Sequence, residues 1–444
     1  MTDQDRIIAF IETHPGLDRI ELLFPDMNGV MRGKWLPASA AKKLLSDDIR
    51  LPMSTYALDI FGEDVEETEL ATAIGDPDGF GHPVLETLKP VPWSSNAVQV
   101  IVSLRDPAGE TCIYDPRAQL ATQVARLETL GLTPVVATEL EFYIFQRGSG
   151  AGEAPKPPAG LEGSQVYDLT ATASLEPLLN DIRQFCAIQG IPADTLIAEY
   201  GPGQFEINFN HVPDALAAAD HAVLFKRLVR ETARKHNLAA TFMAKPYGDP
   251  PGSGMHVHIS LLNDEGQNVF SAENGIAEPL KYAVGGLLGS MRELQAIFAP
   301  HANSYRRFQP GSYAPMALNW GMDHRGVAIR VPATKGGGAR LEHRICGADV
   351  NPYLALAAIL GGIAYGLESE SAPGDPLTDG DGSEGARLHH DWTNAVGDFE
   401  ESSIARGIFG DEYVRVYTAC RRHEIAMLST MISDAEYKTY LHKL

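Results

Sequence analysis

Cysteine is scarce in this chain of 444 residues, and the few that occur follow no known pattern. The four cysteines, Cys112, Cys186, Cys346 and Cys420, are far apart in the sequence and form no CxxC or zinc-finger spacing. A disulfide scaffold and a structural zinc site are therefore excluded. We expect four buried free thiols in a reducing compartment.

Long apolar runs are also missing. No stretch of about 18 apolar residues occurs, so the sequence predicts no membrane span. The opening residues, MTDQDRIIAF, lack a basic segment followed by an apolar run, which argues against a signal peptide. The expected location is the cytoplasm.

Positive charge is in deficit. Lysine and arginine number 36 against 58 acidic residues, which gives a net charge of −22. This balance argues against nucleic acid as a partner and favours cations, including metal ions and amines. The sequence also contains no GxxxxGK[ST] loop and no strand-linked GxGxxG, so neither a P-loop nor a Rossmann site is indicated. With 44% hydrophobic residues, a chain of this length is expected to form two globular domains.

What the sequence does contain is four predicted β-strands with one apolar face and one charged face. Counting in twos separates the faces, because side chains alternate along a strand. An exposed polar face usually carries Lys, Thr and Ser, whereas these faces carry carboxylates, imidazoles and arginines. Neighbouring carboxylates repel one another unless a cation neutralises them, so the pattern predicts a sheet around bound metal. The four strands are Val135–Ile144, Gln204–Asn210, Met255–Leu261 and Arg340–Ile345.

The candidate metal ligands form a hard, oxygen-rich set that suits Mg²⁺ or Mn²⁺ better than zinc or copper. One octahedral ion needs only one or two carboxylates, so this set predicts two or more metals. The candidates are Glu139, Glu141, Glu199, Glu206, His256 and Glu342.

Six arginines within forty residues supply positive charge beside these ligands. A single exposed arginine is as often solvated or ion-paired. As a group they predict a clamp for phosphate and carboxylate, which guanidinium binds in a bidentate manner. Clustered magnesium beside arginines is what phosphoryl transfer from a nucleotide requires. The arginines are Arg306, Arg307, Arg325, Arg330, Arg340 and Arg344.

In this order, the segments resemble the glutamine synthetase superfamily over nearly the whole chain. The segments that carry the resemblance are Glu139-Leu140-Glu141-Phe142, Glu199 with Gly201-Pro202-Gly203-Gln204-Phe205-Glu206, Gly252-Ser253-Gly254-Met255-His256-Val257-His258, Asn303-Ser304-Tyr305-Arg306-Arg307, Arg325 with Arg330, Arg340-Leu341-Glu342-His343-Arg344, and Asn351-Pro352-Tyr353.

The resemblance implies an α+β fold in two parts. Residues 1–110 would form a β-grasp domain, and residues 111–444 a catalytic domain whose antiparallel sheet funnel binds ATP, metal and glutamate. It also implies stacked rings, commonly homododecamers, in which a neighbour's N-terminal domain completes each active site.

The resemblance further assigns roles by motif. Glu141, Glu199 and Glu206 would hold one metal ion, and Glu139, His256 and Glu342 the second. The glutamate substrate would contact Gly252, Arg307 and Arg344. The nucleotide would contact His258, Ser260, Arg330 and Arg340, and Arg325 would stabilise the transferring phosphoryl group.

The chain departs from glutamine synthetase proper where ammonium binds. Tyr313, in Pro310-Gly311-Ser312-Tyr313-Ala314-Pro315, stands in place of the flap glutamate. The Asp-Gly-Ser-Ser loop is replaced by the segment from Ser54 to Glu63, which contains Asp59. The chain lacks both acids but keeps every metal ligand. In this pattern it resembles the γ-glutamylpolyamine and γ-glutamylputrescine synthetases, a branch that ligates larger amines.

An alkylammonium must lose a proton before it attacks, so an acid near the acceptor is expected. Asp59, Glu63 and Asp64 are candidates for amine binding or proton removal, although Glu63 and Asp64 also suit the surface. Tyr56, Phe61 and Tyr313 would line an apolar channel. Three alternatives stay open: ammonia as acceptor, a small monoamine as acceptor, and an inactive relative that only binds nitrogen metabolites.

Overall fold

The computed structural model describes residues 3–14, 16–46, 48–71, 75–148, 152–163, 165–249, 251–309 and 312–444. Pro310 and Gly311 of the predicted acceptor motif therefore lie outside the described residues. Within the described ranges, no helix is long and apolar enough to cross a membrane.

A five-stranded sheet occupies the N-terminal part of the chain. Its order is β2-β1-β5-β4-β3, with β1 parallel to β5 and the other neighbours antiparallel. Gly29, at φ +74, occupies the turn between the first two strands, and Asp26 accepts hydrogen bonds from the Asn28 and Val30 amides at 2.9 Å. These contacts close a hairpin turn between β1 and β2. The strands are β1 (Arg19–Pro25), β2 (Met31–Pro37), β3 (Arg50–Pro52), β4 (Asp78–Pro90) and β5 (Ala97–Arg105).

An eight-stranded sheet dominates the rest of the chain. Its order is β11-β12-β13-β10-β6-β8-β7, and β9 pairs with β6. All four strands predicted from two-faced alternation are present within a few residues of their expected bounds. The strands are β6 (Thr133–Gln146), β7 (Ala193–Ala198), β8 (Gln204–Phe209), β9 (Leu238–Thr241), β10 (Met255–Leu262), β11 (Trp320–Met322), β12 (Ile329–Ala333) and β13 (Arg340–His343).

Helices cover the apolar face of this sheet. Phe142 of β6 and Phe209 of β8 pack edge-on against Phe225, with ring centroids 5.9 and 5.1 Å away. Such buried aromatic contacts hold a helix firmly on a sheet. The helices are α1 (Asp3–Glu12), α2 (Pro116–Thr129), α3 (Leu169–Ser174), α4 (Glu176–Gln189), α5 (Ala215–Lys235), α6 (Glu278–Ser290), α7 (Gln295–Phe298), α8 (Pro352–Glu368), α9 (Trp392–Glu401), α10 (Ser403–Phe409), α11 (Asp411–Ser429) and α12 (Asp434–Tyr440).

Two buried side chains tie the N-terminal hairpin to the helices. Asn351 caps α8 by accepting from the Tyr353 amide at 3.0 Å and donates to the Asp26 carbonyl at 2.8 Å. Arg421 of α11, fully buried, donates to the Asn28 side chain and pairs with Glu424 at 3.1 Å. The N-terminal hairpin is therefore fixed to α8 and α11 through hydrogen bonds shielded from water. The domain division after residue 110 stays a prediction.

The four cysteines behave as expected from the sequence. All are free and buried, and burial raises the pKa of the Cys186 thiol to about 12. A thiol with so high a pKa is a poor nucleophile at neutral pH. The chemistry of this protein therefore has to come from other side chains.

Candidate active site

Strand register brings the predicted charged side chains together on the polar face of the large sheet. In the antiparallel pairs of this sheet, His256 lies opposite Glu139, and Glu141 lies opposite Glu206. On the other side of β10, Glu342 lies opposite His258. Directly opposed residues have β-carbons about 5 Å apart, so their side chains meet on one face. The predicted charged face is confirmed.

Glu139 and Glu342 both have neighbours that lower the pKa of their carboxyl groups. Glu139 is 3.1 Å from His256 Nδ1 and 2.9 Å from His258 Nε2. Burial would raise the pKa of Glu139, but these two hydrogen bonds outweigh it and lower the pKa. Burial also acts against Glu342, yet Arg344 and the two histidines bring its pKa down to about 2.

Three other carboxylates in the site lack such partners. Within the described ranges, no Lys, Arg or His forms an ion pair with Glu141, Glu199 or Glu206. Burial, followed by repulsion from Glu141, raises the pKa of Glu199 to about 7. Burial, followed by repulsion from Glu139, Glu141 and Glu199, raises the pKa of Glu206 well above its ordinary range. The protein therefore concentrates acidic groups here without a cationic side chain to pair with them.

These donors fit a hard divalent cation. Two groups have one ligand atom from each residue within 4.8 Å of the others: Glu139, His258 and Glu342, and Glu139, Glu206 and His256. Carboxylate oxygens are the ligands that Mg²⁺ and Mn²⁺ prefer, and a cation at this place would remove the repulsion. His258, expected at the nucleotide, approaches Glu139 as closely as His256 does. The division of ligands between two ions stays a prediction.

Arg307 packs directly against the backbone of Gly252 beside the carboxylate cluster. A β-carbon on residue 252 would lie 2.5 Å from Arg307 Cγ and 2.5 Å from the Ala244 carbonyl, so only glycine leaves this arginine in place. Arg307 itself is buried and donates to the Ile345 carbonyl at 3.0 Å. Among the described residues, the buried Nε of Arg344 has no hydrogen-bond partner, which leaves it available to an anion.

A cavity of about 300 Å³ joins these groups. Its size suits a small substrate bound beside metal. The predicted site residues that line it are Glu139, Glu141, Glu199, Glu206, Gly252, His256, Arg307, Tyr313, Arg325, Arg330, Glu342 and Arg344.

Three of the four predicted nucleotide residues, His258, Ser260 and Arg340, do not line this cavity. Arg340 Nε is 3.3 Å from His258 Nδ1, and His258 in turn contacts Glu139. Ser260 is buried two residues further along β10. Arg330 does line the cavity, where it donates to Glu342 at 2.8 Å.

Asp59 is not brought to the cavity within one chain. It is buried in the N-terminal part, and its Oδ1 accepts from the Phe61 and Glu63 amides, each at 2.9 Å. The Asp59 carboxylate therefore stabilises the loop that contains it. Tyr56, expected in an apolar channel, instead packs edge-on against Phe24 in the N-terminal core, with ring centroids 5.0 Å apart. Tyr56 points inward because its apolar ring is buried against this core.

Two residues of the site were missed by sequence reasoning. Gln204 donates to the Gly252 carbonyl at 3.0 Å and to Glu141 at 3.4 Å, so it positions a ligand. Its signal was present, since it lies two residues before Glu206 on the same strand face. Tyr200 stacks on Tyr313, with ring centroids 4.9 Å apart. Tyr200 follows β7 in an irregular turn, where no sequence period predicts which way its side chain points.

A mixed sheet whose polar face presents clustered carboxylates, histidines and arginines to one cavity has the donor set that metal-assisted phosphoryl transfer requires. Residues 113–440 match the family model of the glutamine synthetase catalytic domain. The chain therefore belongs to the glutamine synthetase family and is an ATP-dependent ligase. Enzymes of this family use ATP and divalent metal ions. The α+β fold class expected from the resemblance is confirmed.

Particular relatives include several amine ligases. The chain is 40% identical to gamma-glutamylputrescine synthetase PuuA of Escherichia coli (strain K12), over 97% of this chain and 93% of that protein. It is 34% identical to glutamate–isopropylamine ligase of a Pseudomonas species, over 98% and 97%. The solved GmaS/ADP complex superposes with a TM-score of 0.88 at 26% identity, covering 99% of this chain and 100% of that one.

Proposed function

We propose that this ligase joins the γ-carboxylate of L-glutamate to an amine, with a polyamine such as putrescine or spermidine as the acceptor. The observation that carries the proposal is Tyr313 in the cavity wall, at the place of the flap acid of glutamine synthetase. A phenol there removes a charge that would bind ammonium and adds an apolar surface for an alkyl chain. The likeness to gamma-glutamylputrescine synthetase supports the same acceptor.

In the first step, a γ-carboxylate oxygen of glutamate attacks the terminal phosphorus of ATP. The bond to ADP breaks, and γ-glutamyl phosphate forms. Arg307 and Arg344 hold the glutamate carboxylates, while Arg330, Arg340, His258 and Ser260 serve the nucleotide. Arg325 extends from an exposed turn toward the cavity and stabilises the transferring phosphoryl group. Two or more Mg²⁺ or Mn²⁺ ions, held by the clustered carboxylates and His256, would supply the remaining positive charge.

In the second step, a neutral amine nitrogen attacks the γ-carbonyl carbon, and phosphate leaves with the bonding electrons. The nitrogen loses one proton to a base before the amide is complete. Within one chain Asp59 lies away from the cavity, so it serves as this base only from a neighbouring subunit. The family resemblance implies stacked rings in which a neighbour completes each active site, so we include a homododecamer in the proposal. Native mass determination tests it, and a monomer of 48.1 kDa would contradict it.

An acceptor panel tests the function directly. Purified protein with ATP, Mg²⁺ and glutamate would be offered ammonium, methylamine, isopropylamine, putrescine and spermidine, and phosphate release would be measured. We expect the highest kcat/KM with putrescine or spermidine. A higher value with ammonium would replace the proposal by glutamine synthesis. Loss of ATP turnover with every amine would indicate an inactive relative.

Tyr313→Glu is expected to shift the acceptor preference toward ammonium. The new carboxylate binds a small cation, and the apolar surface is lost. We expect kcat/KM to rise about tenfold or more for ammonium and to fall about tenfold for putrescine. The control is Tyr313→Phe, which keeps the ring and should keep the preference. An unchanged ratio of the two kcat/KM values in Tyr313→Glu would show that residue 313 does not select the acceptor.

A further inference from the structure

Two tyrosines from distant parts of the sequence form a stacked pair at the wall of the active-site cavity. Tyr200 and Tyr313 have ring centroids 4.9 Å apart and an interplanar angle of 22°. Both line the cavity that contains the metal-binding carboxylates. Tyr200 directly follows Glu199, so a predicted metal ligand and an aromatic ring are consecutive residues at this cavity.

The pair is poorly explained by stability. Tyr200 is 46% exposed and Tyr313 is 65% exposed, so together they bury much less area than a core stack. Exposed aromatic surface on the wall of a binding cavity is typical of ligand contact. The neighbouring lining residues Val166 and Ile197 extend the apolar surface.

A diamine has chemistry that matches this surface. One nitrogen has to be neutral to attack, while the distant nitrogen keeps its proton, as a lysine side chain does with a pKa of about 10.4. An alkylammonium is attracted to the face of an aromatic ring, and its methylene groups pack on the same face. Ammonium has neither a chain nor a second charge.

We infer that the Tyr200–Tyr313 stack binds the alkyl chain and the distal ammonium of the acceptor, with Tyr200 as a second specificity-determining residue. This inference rests on the proposed amine ligase function. It assigns to Tyr200 a role in choosing between long and short acceptors. Both tyrosines act on binding of the second substrate and leave phosphoryl transfer to the metals and arginines.

The test is a chain-length series with Tyr200 variants. Putrescine, n-butylamine and methylamine would be compared in wild type, Tyr200→Leu and Tyr200→Phe, with KM for each amine and for glutamate measured by phosphate release. For Tyr200→Leu we expect KM for putrescine to rise about tenfold. The rise for n-butylamine, which lacks the distal charge, should be smaller, and KM for methylamine and glutamate should stay within about twofold. Tyr200→Phe keeps the aromatic face and should resemble wild type.

Leu169→Ala is the matched control. Leu169 is 81% exposed and lies three residues after Val166, which lines the cavity, but Leu169 itself does not line it. Its replacement should therefore leave every KM unchanged. If wild type turns over putrescine and Tyr200→Leu alters no amine KM, the inference fails while the ligase function stands. An equal rise for all amines and for glutamate would likewise overturn it, since that result reports general distortion. If wild type uses no alkylamine, the proposed function fails first.

Discussion

Glu206→Gln is expected to lower the rate of glutamate-dependent ATP turnover by about a hundredfold or more. Glu206 is buried on β8 opposite Glu141 and belongs to a group whose ligand atoms lie within 4.8 Å of one another. An amide keeps the shape but removes the negative charge that attracts a divalent ion. Several kcal/mol of transition-state stabilisation depend on that ion, and each 1.4 kcal/mol is tenfold in rate. Steady-state phosphate release over a series of Mg²⁺ concentrations measures the loss.

The same substitution should change how the metal-free protein responds to pH. The folded-state pKa values of Glu199 and Glu206 are raised, Glu199 to about 7, so the folded state binds more protons than the unfolded state. The contribution of these two residues to the free energy of unfolding is therefore fully present below the ordinary glutamate pKa. It is lost as the pH rises through their folded-state pKa values. In EDTA, wild-type Tm should fall between about pH 5 and about pH 8, and Glu206→Gln should flatten this fall.

Excess Mg²⁺ provides the complementary measurement. It should raise the Tm of wild type at alkaline pH, because an ion that binds only the folded state stabilises it. The rise should be much smaller for Glu206→Gln. Glu128→Gln, at an exposed position of α2, is the control and should retain wild-type rate and Mg²⁺ response. Equal Mg²⁺ responses in wild type and Glu206→Gln would exclude Glu206 as a ligand.

Arg325→Ala is expected to lower kcat by about a hundredfold to a thousandfold with little change in Tm. Arg325 is exposed in the turn between β11 and β12 and lines the cavity, so its removal creates no buried void. Its charge is needed where negative charge develops on the transferring phosphoryl group. The loss should appear in kcat more than in the KM for glutamate, because the contact strengthens in the transition state.

Arg306→Ala is the matched control for Arg325→Ala. Arg306 was predicted from the sequence as part of the arginine clamp, but the structure leaves it exposed and it does not line the cavity. Its removal should leave kcat within about twofold of wild type, since exposed charges away from the reacting atoms contribute little. Equal losses in the two variants would indicate a general effect of net charge. A kcat near wild type in Arg325→Ala would remove this arginine from the catalytic step.

Alternation along strands made the charged face of the large sheet predictable. Glu139 and Glu141 had to share a face because side chains alternate, and Phe142 on the other face is indeed buried against α5. What alternation does not contain is the order of strands. The pairing of β6 with both β8 and β10 is seen only in the structure.

The acceptor region was less predictable for a physical reason. Tyr200 and Asp59 lie in irregular turns, where no period fixes the direction of a side chain. Tyr200 points to the cavity wall, whereas Asp59 uses its carboxylate on the amides of its own loop. Local hydrogen bonding of an aspartate within a turn is common and competes with any role in binding. Its proposed role as a base depends on a second chain.

The strand order of the large sheet also bears on how this protein folds. Glu139 and Glu342 are more than 200 residues apart in the chain, yet β10 is the only strand between theirs. Contacts between such distant segments form late, because a long loop has to close first. We therefore expect the metal site to be completed late in folding. Added metal should slow unfolding of the finished protein while leaving the early steps of refolding unchanged.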